Sequence, residues 1–205
     1  MILNYKKKEN LLSKYNLKRP ETFLVASKED AQVKAKEIGF PVVAKISSDK
    51  HLHRTELGGV FVDIENKKEL EEAFEKLMEI EGTEGIIIQK QVEGVEFIVG
   101  SKMDDVFGPT IMFGTGGVLV EVFEDVSFRV APITERDAFE MINEVKGRKL
   151  LEGFRGGPKI PKKKLVDLLV KTSKLVYKER VKELDFNPVI GNENGLYICD
   201  VKIAL

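Results

Sequence analysis

A mixed α/β fold is predicted by three observations on the sequence. Amphipathic helical stretches alternate with short apolar strands along the chain. Most changes of pattern are marked by a glycine, a proline or a helix-capping residue. The 205 residues are 42% hydrophobic and 33% charged, enough apolar side chain for one large domain or two small lobes and too much for a disordered chain.

The elements follow in order. Residues 4–16 read as a short helix, stopped before Pro20. TFLVA at 22–26 is a short strand. Ser27 then caps a helix, with Asp30 three residues on and Gly39 as its stop. PVVAKIS at 41–47 is apolar enough for a buried strand, and residues 48–58 are polar and without period, so they read as a loop. GVFVDI at 59–64 is a strand. Residues 66–80 form an amphipathic helix with Leu70, Phe74, Leu77 and Met78 on its apolar face. EGTEG at 81–85 breaks the pattern and is the expected hinge, dividing a first lobe at 1–82 from a second at 83–205. Strands are expected at 86–92 and 95–103, then short strands with glycine punctuation over 106–132. Thr134, with Asp137 three residues on, starts the next helix, and Pro161 begins a long one with Leu165, Leu168, Leu169, Leu175 and Val176 in its stripe. Two strands joined by GNENG close the chain as a hairpin.

Composition excludes several classes of function. With 33 basic and 34 acidic residues the net charge is -1, so no general attraction to nucleic acid or anionic lipid exists. The single cysteine, Cys199, excludes an intrachain disulfide and a multi-cysteine zinc site, and reads as a small buried residue. No apolar run approaches the roughly 18 residues of a membrane span. MILNYKKKEN places charge where an export signal needs apolar residues, so a cytoplasmic location is expected.

Four features carry chemistry. Lys45 ends an apolar strand, so its ammonium must reach either an anion, such as a nucleotide phosphate, or the solvent. Loop 47–60 holds both histidines, His51 and His53, followed by Gly58 and Gly59. A neutral imidazole can take a phosphoryl group, and backbone N–H groups at paired glycines can cradle phosphate; a solvated loop histidine is the plainer alternative. G-T-G-G at 114–117 is either a phosphate loop or a tight turn between strands. Asp185 and Asn187 lie two apart on one strand, and Asp200 on the next, an oxygen-rich set suited to Mg²⁺ or simply to capping backbone. Taken together these residues outline the positioning and charge that phosphoryl transfer requires.

Long collinear motifs then resemble a known family. F-P-V-V-A-K-I-S and H-R-T-E-L-G-G-V are similar to the ATP-grasp subunit of ADP-forming acyl-CoA synthetases. The likeness continues through G-V-E-F-I-V-G, F-G-P-T-I-M-F-G-T-G-G-V-L-V-E-V, D-V-S-F-R-V-A-P, L-L-E-G-F-R-G-G-P, E-L-D-F-N-P-V and C-D-V-K-I. It spans about residues 20–203; succinyl-CoA synthetase β subunits are more distant relatives. Arg54 and Glu56 stand where the family more often has Lys and Asp, and neither change alters the expected reaction.

The resemblance implies an ATP-grasp fold, two α/β lobes holding a nucleotide between antiparallel sheets. It implies the reversible reaction acyl-CoA + ADP + phosphate = acid + CoA + ATP, with Mg²⁺ and ATP or ADP bound here. A CoA-binding α subunit would complete the enzyme, in an α₂β₂ assembly; no nucleic acid or membrane partner is expected. By position, His53 would carry the phosphoryl group and Asp185 would orient its imidazole. Lys45 would contact nucleotide phosphates, and Gly58 and Gly59 would lie near the terminal phosphate. Gln89 to Val92 would meet the adenine through backbone groups, and Glu96 would be an acidic residue of the nucleotide site. Arg129 and Arg155 would contact phosphate, while Asn187 and Asp200 would ligate Mg²⁺. Two alternatives are a different ATP-grasp carboxylate ligase, which needs no phosphohistidine, and a non-catalytic nucleotide-binding remnant.

Overall fold

The structure is a computed structural model and describes residues 2–48, 58–116 and 124–205. The expected loop with His51, His53, Arg54 and Glu56, and also Gly117, lie outside the described residues. The chain forms two compact units, one of Arg19–Val92 and one of Met1–Lys18 with Glu93–Leu205.

The chain opens with helix α1 (Tyr5–Lys14), which belongs to the larger unit. The smaller unit then runs β1 (Thr22–Val25), α2 (Lys28–Ile38), β2 (Val42–Ser47), β3 (Val60–Ile64), α3 (Lys67–Met78) and β4 (Gly85–Lys90). Its sheet has the order β1-β4-β2-β3, all antiparallel. Ser27 caps α2 by accepting from the Asp30 N–H, and Gly39 ends it at φ 79°, a conformation that favours glycine. Val25, Val42, Ala44, Ile46, Ile86 and Ile88 form the inner face of the sheet, packed with Ala31 and Ala35 of α2 and Leu70, Ala73, Phe74 and Leu77 of α3. Met78, expected in that stripe, is 42% exposed, because it stands about 100° round the helix from Leu77, at the edge of the face that Leu70, Ala73, Phe74 and Leu77 bury.

The larger unit continues with β5 (Val95–Asp104), β6 (Gly108–Thr115), β7 (Val126–Val130), α4 (Glu135–Glu144), two 3₁₀ turns (Lys146–Leu151 and Phe154–Gly156), α5 (Lys162–Lys178), β8 (Glu183–Asn192), β9 (Gly195–Ile198) and β10 (Lys202–Ala204). The sheet order is β10-β8-β5-β6-β7, with β9 also on β8. Thr134 and Asp137 form the reciprocal capping box at α4. Phe97, Val99, Ile111, Phe113, Phe186 and Val189 line the inner face against Met141 and Ile142 of α4 and Leu165, Leu169 and Val176 of α5. Leu12 of α1 joins the same core.

The division differs from a boundary at 82/83. β4, beyond the EGTEG break, lies between β1 and β2 in the smaller sheet, where its Ile86 and Ile88 complete the core. The division therefore falls after Val92, and the first 18 residues go with the larger unit through Leu12 and Leu17. The closing hairpin also differs. Its second strand is split into β9 and β10 around residues 199–201, with Asp200 in the gap.

Candidate functional site

In the smaller unit, Lys45 points away from the inner core. Val42, Ala44 and Ile46 face the helices, so the alternation of β2 sends Lys45 to the other face, beside Gln89 of β4 and Thr22 of β1. Lys45 is 5% exposed, and its Nζ donates to Gln89 Oε1 at 2.9 Å. Gln89 Nε2 donates to Thr22 Oγ1 at 3.0 Å, and that hydroxyl donates to the Pro20 carbonyl at 2.6 Å. A hydrogen-bonded series thus holds the ammonium in place without consuming all three of its donors on one partner. The sequence reading missed Thr22 and the side-chain role of Gln89. Gln89 lies within a strand flanked on both sides, so its backbone serves the sheet and its amide serves Lys45. Val92 lies beyond β4 and is half-buried. Gly58 takes φ 66° with open space around its Cα, and the Gly59 carbonyl accepts from the Ile46 N–H at 3.0 Å, fixing the end of loop 48–58 to β2.

In the larger unit, Asp185 and Asn187 alternate with the buried Leu184 and Phe186, so both stand on the outer face of the sheet. β8 pairs Val189 with Ile198 before the gap in its edge partner and Asp185 with Lys202 after it. That constant offset sets Asn187 across from Asp200, and Cys199 N donating to Pro188 O at 2.9 Å carries the register through. On the other side of β8 the register against β5 shifts between Phe97 and Val99, which pair with Val189 and Phe186. The extra residue is a β-bulge at Asn187–Pro188. Proline has no N–H for a ladder, so a proline in an interior strand is accommodated by a bulge, and the bulge turns Asn187 outward. Asp200 accepts from the Val201 N–H at 2.8 Å, and Lys202 Nζ lies 3.8 Å from Asp185 Oδ2.

Glu96 is exposed on the same outer face, since its neighbour Phe97 is in the core. Gly116 N donates to the Glu96 carbonyl at 2.8 Å, and a Cβ on Gly116 would lie 2.7 Å from the Glu96 Cβ. Close strand packing therefore requires glycine there. The end of β6 is held by Asp125, which is 6% exposed. It accepts from Lys146 N at 2.6 Å, Gly147 N at 2.7 Å and Thr115 Oγ1 at 3.0 Å. Burial alone raises the Asp125 carboxyl, but the two N–H groups and the hydroxyl outweigh it and hold it below the usual range.

Arg129 is not brought to this face. It pairs with Ile111 on the helix side of the sheet and is bound to Glu144 of α4 at 2.5 and 3.0 Å. Register points the side chain to α4. Hydrogen bonds from Arg129 and Ser127 hold the Glu144 carboxyl below its usual range. Arg155 is exposed at φ 54°, with its guanidinium 5.4 Å from the Phe154 ring.

The outer-face set fits Mg²⁺. The register places Asn187 across from Asp200, which lies in the gap between β9 and β10, and among the described residues no group of three or more His, Cys, Asp and Glu gathers into a metal cage. Few protein oxygens, with the rest left to substrate phosphates, is the pattern Mg²⁺ prefers.

Comparison with known proteins agrees with the resemblance. The ATP-grasp domain family matches residues 1–205. An ADP-forming acetate–CoA ligase II from Archaeoglobus fulgidus is 44% identical over all of this chain, which spans 30% of that protein's length. The β subunit of ADP-forming acetate–CoA ligase I from Pyrococcus furiosus is 40% identical over 96% of this chain and 89% of its own. An acetyl-coenzyme A synthetase from Ca. Korarchaeum cryptofilum, solved with coenzyme A and Ca-AMPCP, superposes with a TM-score of 0.93 at 40% identity, covering 100% of this chain and 93% of that one. In another structure of that synthetase, with Mg-AMPPCP, a phosphohistidine segment points towards the nucleotide site (TM-score 0.82, 39% identity, 99% and 92% covered). This chain belongs to the ATP-grasp domain family, within the group of ADP-forming acyl-CoA synthetases.

Proposed function

We propose that this chain is the nucleotide-binding β subunit of an ADP-forming acetate– or acyl–CoA ligase, catalysing acyl-CoA + ADP + phosphate = acid + CoA + ATP with a CoA-binding α subunit. The observation that carries the reading is the likeness to a separate β subunit over 96% of this chain and 89% of that one. The assembly is α₂β₂ and cytoplasmic, and no helix of the described residues is long and apolar enough to cross a membrane.

In this reading His53 takes the phosphoryl group on one ring nitrogen, so its imidazole must be neutral when it attacks. Asp185 accepts the N–H of the other ring nitrogen and holds the tautomer. Asn187 and Asp200 hold Mg²⁺, which when bound neutralises phosphate charge and orients the transferring group. Lys45, steadied by Gln89, binds a nucleotide phosphate. Gly58 and Gly59 offer backbone N–H groups to the terminal phosphate, Val92 meets the base, and Glu96 is the acidic residue of the site.

The test is incubation of the purified chain with Mg²⁺ and γ-labelled ATP, alone and with the α subunit, beside His53→Ala and His51→Ala. Acid-labile, base-stable label is expected on the wild type and on His51→Ala, and none on His53→Ala. Label that survives His53→Ala, or no label in either condition despite ATP binding, overturns the carrier role.

A further inference from the structure

We propose that the larger unit carries a further binding site, a cavity for a small amphipathic anion: an apolar or aromatic body with one carboxylate or phosphate head. The cavity, of about 250 Å³, lies between α5, the start of β9 with its preceding turn, and the segment that follows α1. Every residue around it belongs to the larger unit, and none of the residues assigned to phosphoryl transfer lines it.

Local structure builds the cavity. α1 ends at Lys14, and Asn16 takes φ 50°, so the chain turns back and Leu17 N donates to the Leu12 carbonyl at 2.9 Å. The next carbonyl, of Lys18, accepts from Ile198 N at 2.9 Å, which lays this segment along β9. β9 pairs with β8 alone, so its other edge is open to that contact. Before β9, the Asn192 side chain accepts from Asn194 N at 3.0 Å and Gly195 N at 3.3 Å and fixes the turn.

The cavity has an apolar floor and a cationic rim. Leu17, Leu168 and Leu196 are 5%, 6% and 7% exposed, buried yet not sealed, and give an apolar body surface to cover. Lys164 Nζ donates to the Asn194 carbonyl at 2.7 Å, which steadies the ammonium and leaves two donors over. A Cβ on Gly195 would lie 3.7 Å from Lys164 Nζ and 3.8 Å from the Tyr197 ring, so cation and ring flank the same glycine. Lys18 and Lys171 bring further ammonium groups. Lys171 is bound to Asp167 at 2.7 Å, so the charges of Lys18 and Lys164 are in excess. Lys164 also stands in the first turn of α5, which has no acidic residue and where the helix dipole disfavours a cation. An anionic head at the rim offsets that excess while its body covers the leucines. At about 30 Å³ per water the cavity equals roughly eight waters, room for about ten non-hydrogen atoms and far too little for a nucleotide.

The experiment titrates the whole ¹⁵N-labelled chain with benzoate, phenyl phosphate, inorganic phosphate and benzyl alcohol and follows the backbone amide shifts. Benzoate and phenyl phosphate are expected to saturate with dissociation constants of about 1 mM or tighter, moving the amides of Lys18, Gly195, Leu196 and Tyr197. Inorganic phosphate lacks the body and benzyl alcohol lacks the charge, so each should bind at least about tenfold more weakly. The double variant Lys18→Gln/Lys164→Gln should lose at least about fivefold in affinity for benzoate. Lys163→Gln, exposed in the same helical turn but outside the cavity, should lose none. The ranking of the four probes on the wild type tests the site independently of any variant. Absence of saturable shifts at those amides, shifts centred elsewhere, or affinity for inorganic phosphate or benzyl alcohol equal to that for benzoate each overturns the site. So does an equal loss in Lys163→Gln, which would reduce the effect to general surface charge.

Discussion

An ammonium at 5% exposure on the outer face of a sheet is expensive to bury, and Lys45 is held there by Gln89 rather than left to reach solvent. Lys45→Met keeps the stem volume and removes the charge, so the fold should survive. ADP binding should weaken on the order of tenfold to a hundredfold, the range of one charged hydrogen bond, when followed by calorimetry. Unchanged affinity would remove Lys45 from the nucleotide site. Arg129 illustrates the opposite outcome at this scale. The family resemblance implies a phosphate contact for Arg129, and in this structure strand register turns its side chain to Glu144.

At the scale of elements, Asp125 connects three pieces of chain: the end of β6, the start of β7 and the first 3₁₀ turn. Gly147 is part of the same joint, since a Cβ there would come within 2.3 Å of Thr115 Cγ2. Asp125→Ala leaves two N–H groups and a hydroxyl without their acceptor and should cost about 2–4 kcal/mol, read as a lower urea midpoint. The pH dependence has a definite sign. The folded carboxyl lies below its ordinary value, about 3.9 when unfolded, so its contribution is present above that pH and is lost as pH falls through the depressed folded value. The stability gap between wild type and Asp125→Asn should therefore be widest near pH 7 and close below about pH 4. A gap that stays constant from pH 7 to 3 would mean the charge of Asp125 contributes nothing.

At the scale of the whole molecule, the chain starts in the larger unit, builds the smaller one, and returns. The first helix is what fastens the start: Leu12 is buried in the core of the larger unit, which also contains residues more than 80 positions later, such as Phe97 and Val99. Leu12→Ala should destabilise that unit by about 2–5 kcal/mol. Hydrogen exchange should then show β5 and β8 losing protection while β2 and β4 keep theirs. Equal loss in both sheets would show that the two units unfold as one.

Much of the fold was legible in the sequence, as were the residues that make up the candidate site. Helix starts at Ser27 and Thr134 were readable because a capping side chain acts within three residues, and the core stripes because a helix repeats over a few turns. Lys45, Asp185, Asn187 and Asp200 stood out because charge and amide groups on apolar strands demand an explanation. Pro188 carried a readable but unused signal for the bulge that turns Asn187 outward. By itself, then, the sequence determined the elements, their caps and the family, all of which depend on local period and on collinear motifs. Only the tertiary structure decided that β4 belongs to the first sheet, that Gln89 serves Lys45, that Arg129 faces away, and that Lys202 stands beside Asp185. Those outcomes depend on which strands pair and in what register, and a shift of one residue would have moved each side chain to the opposite face.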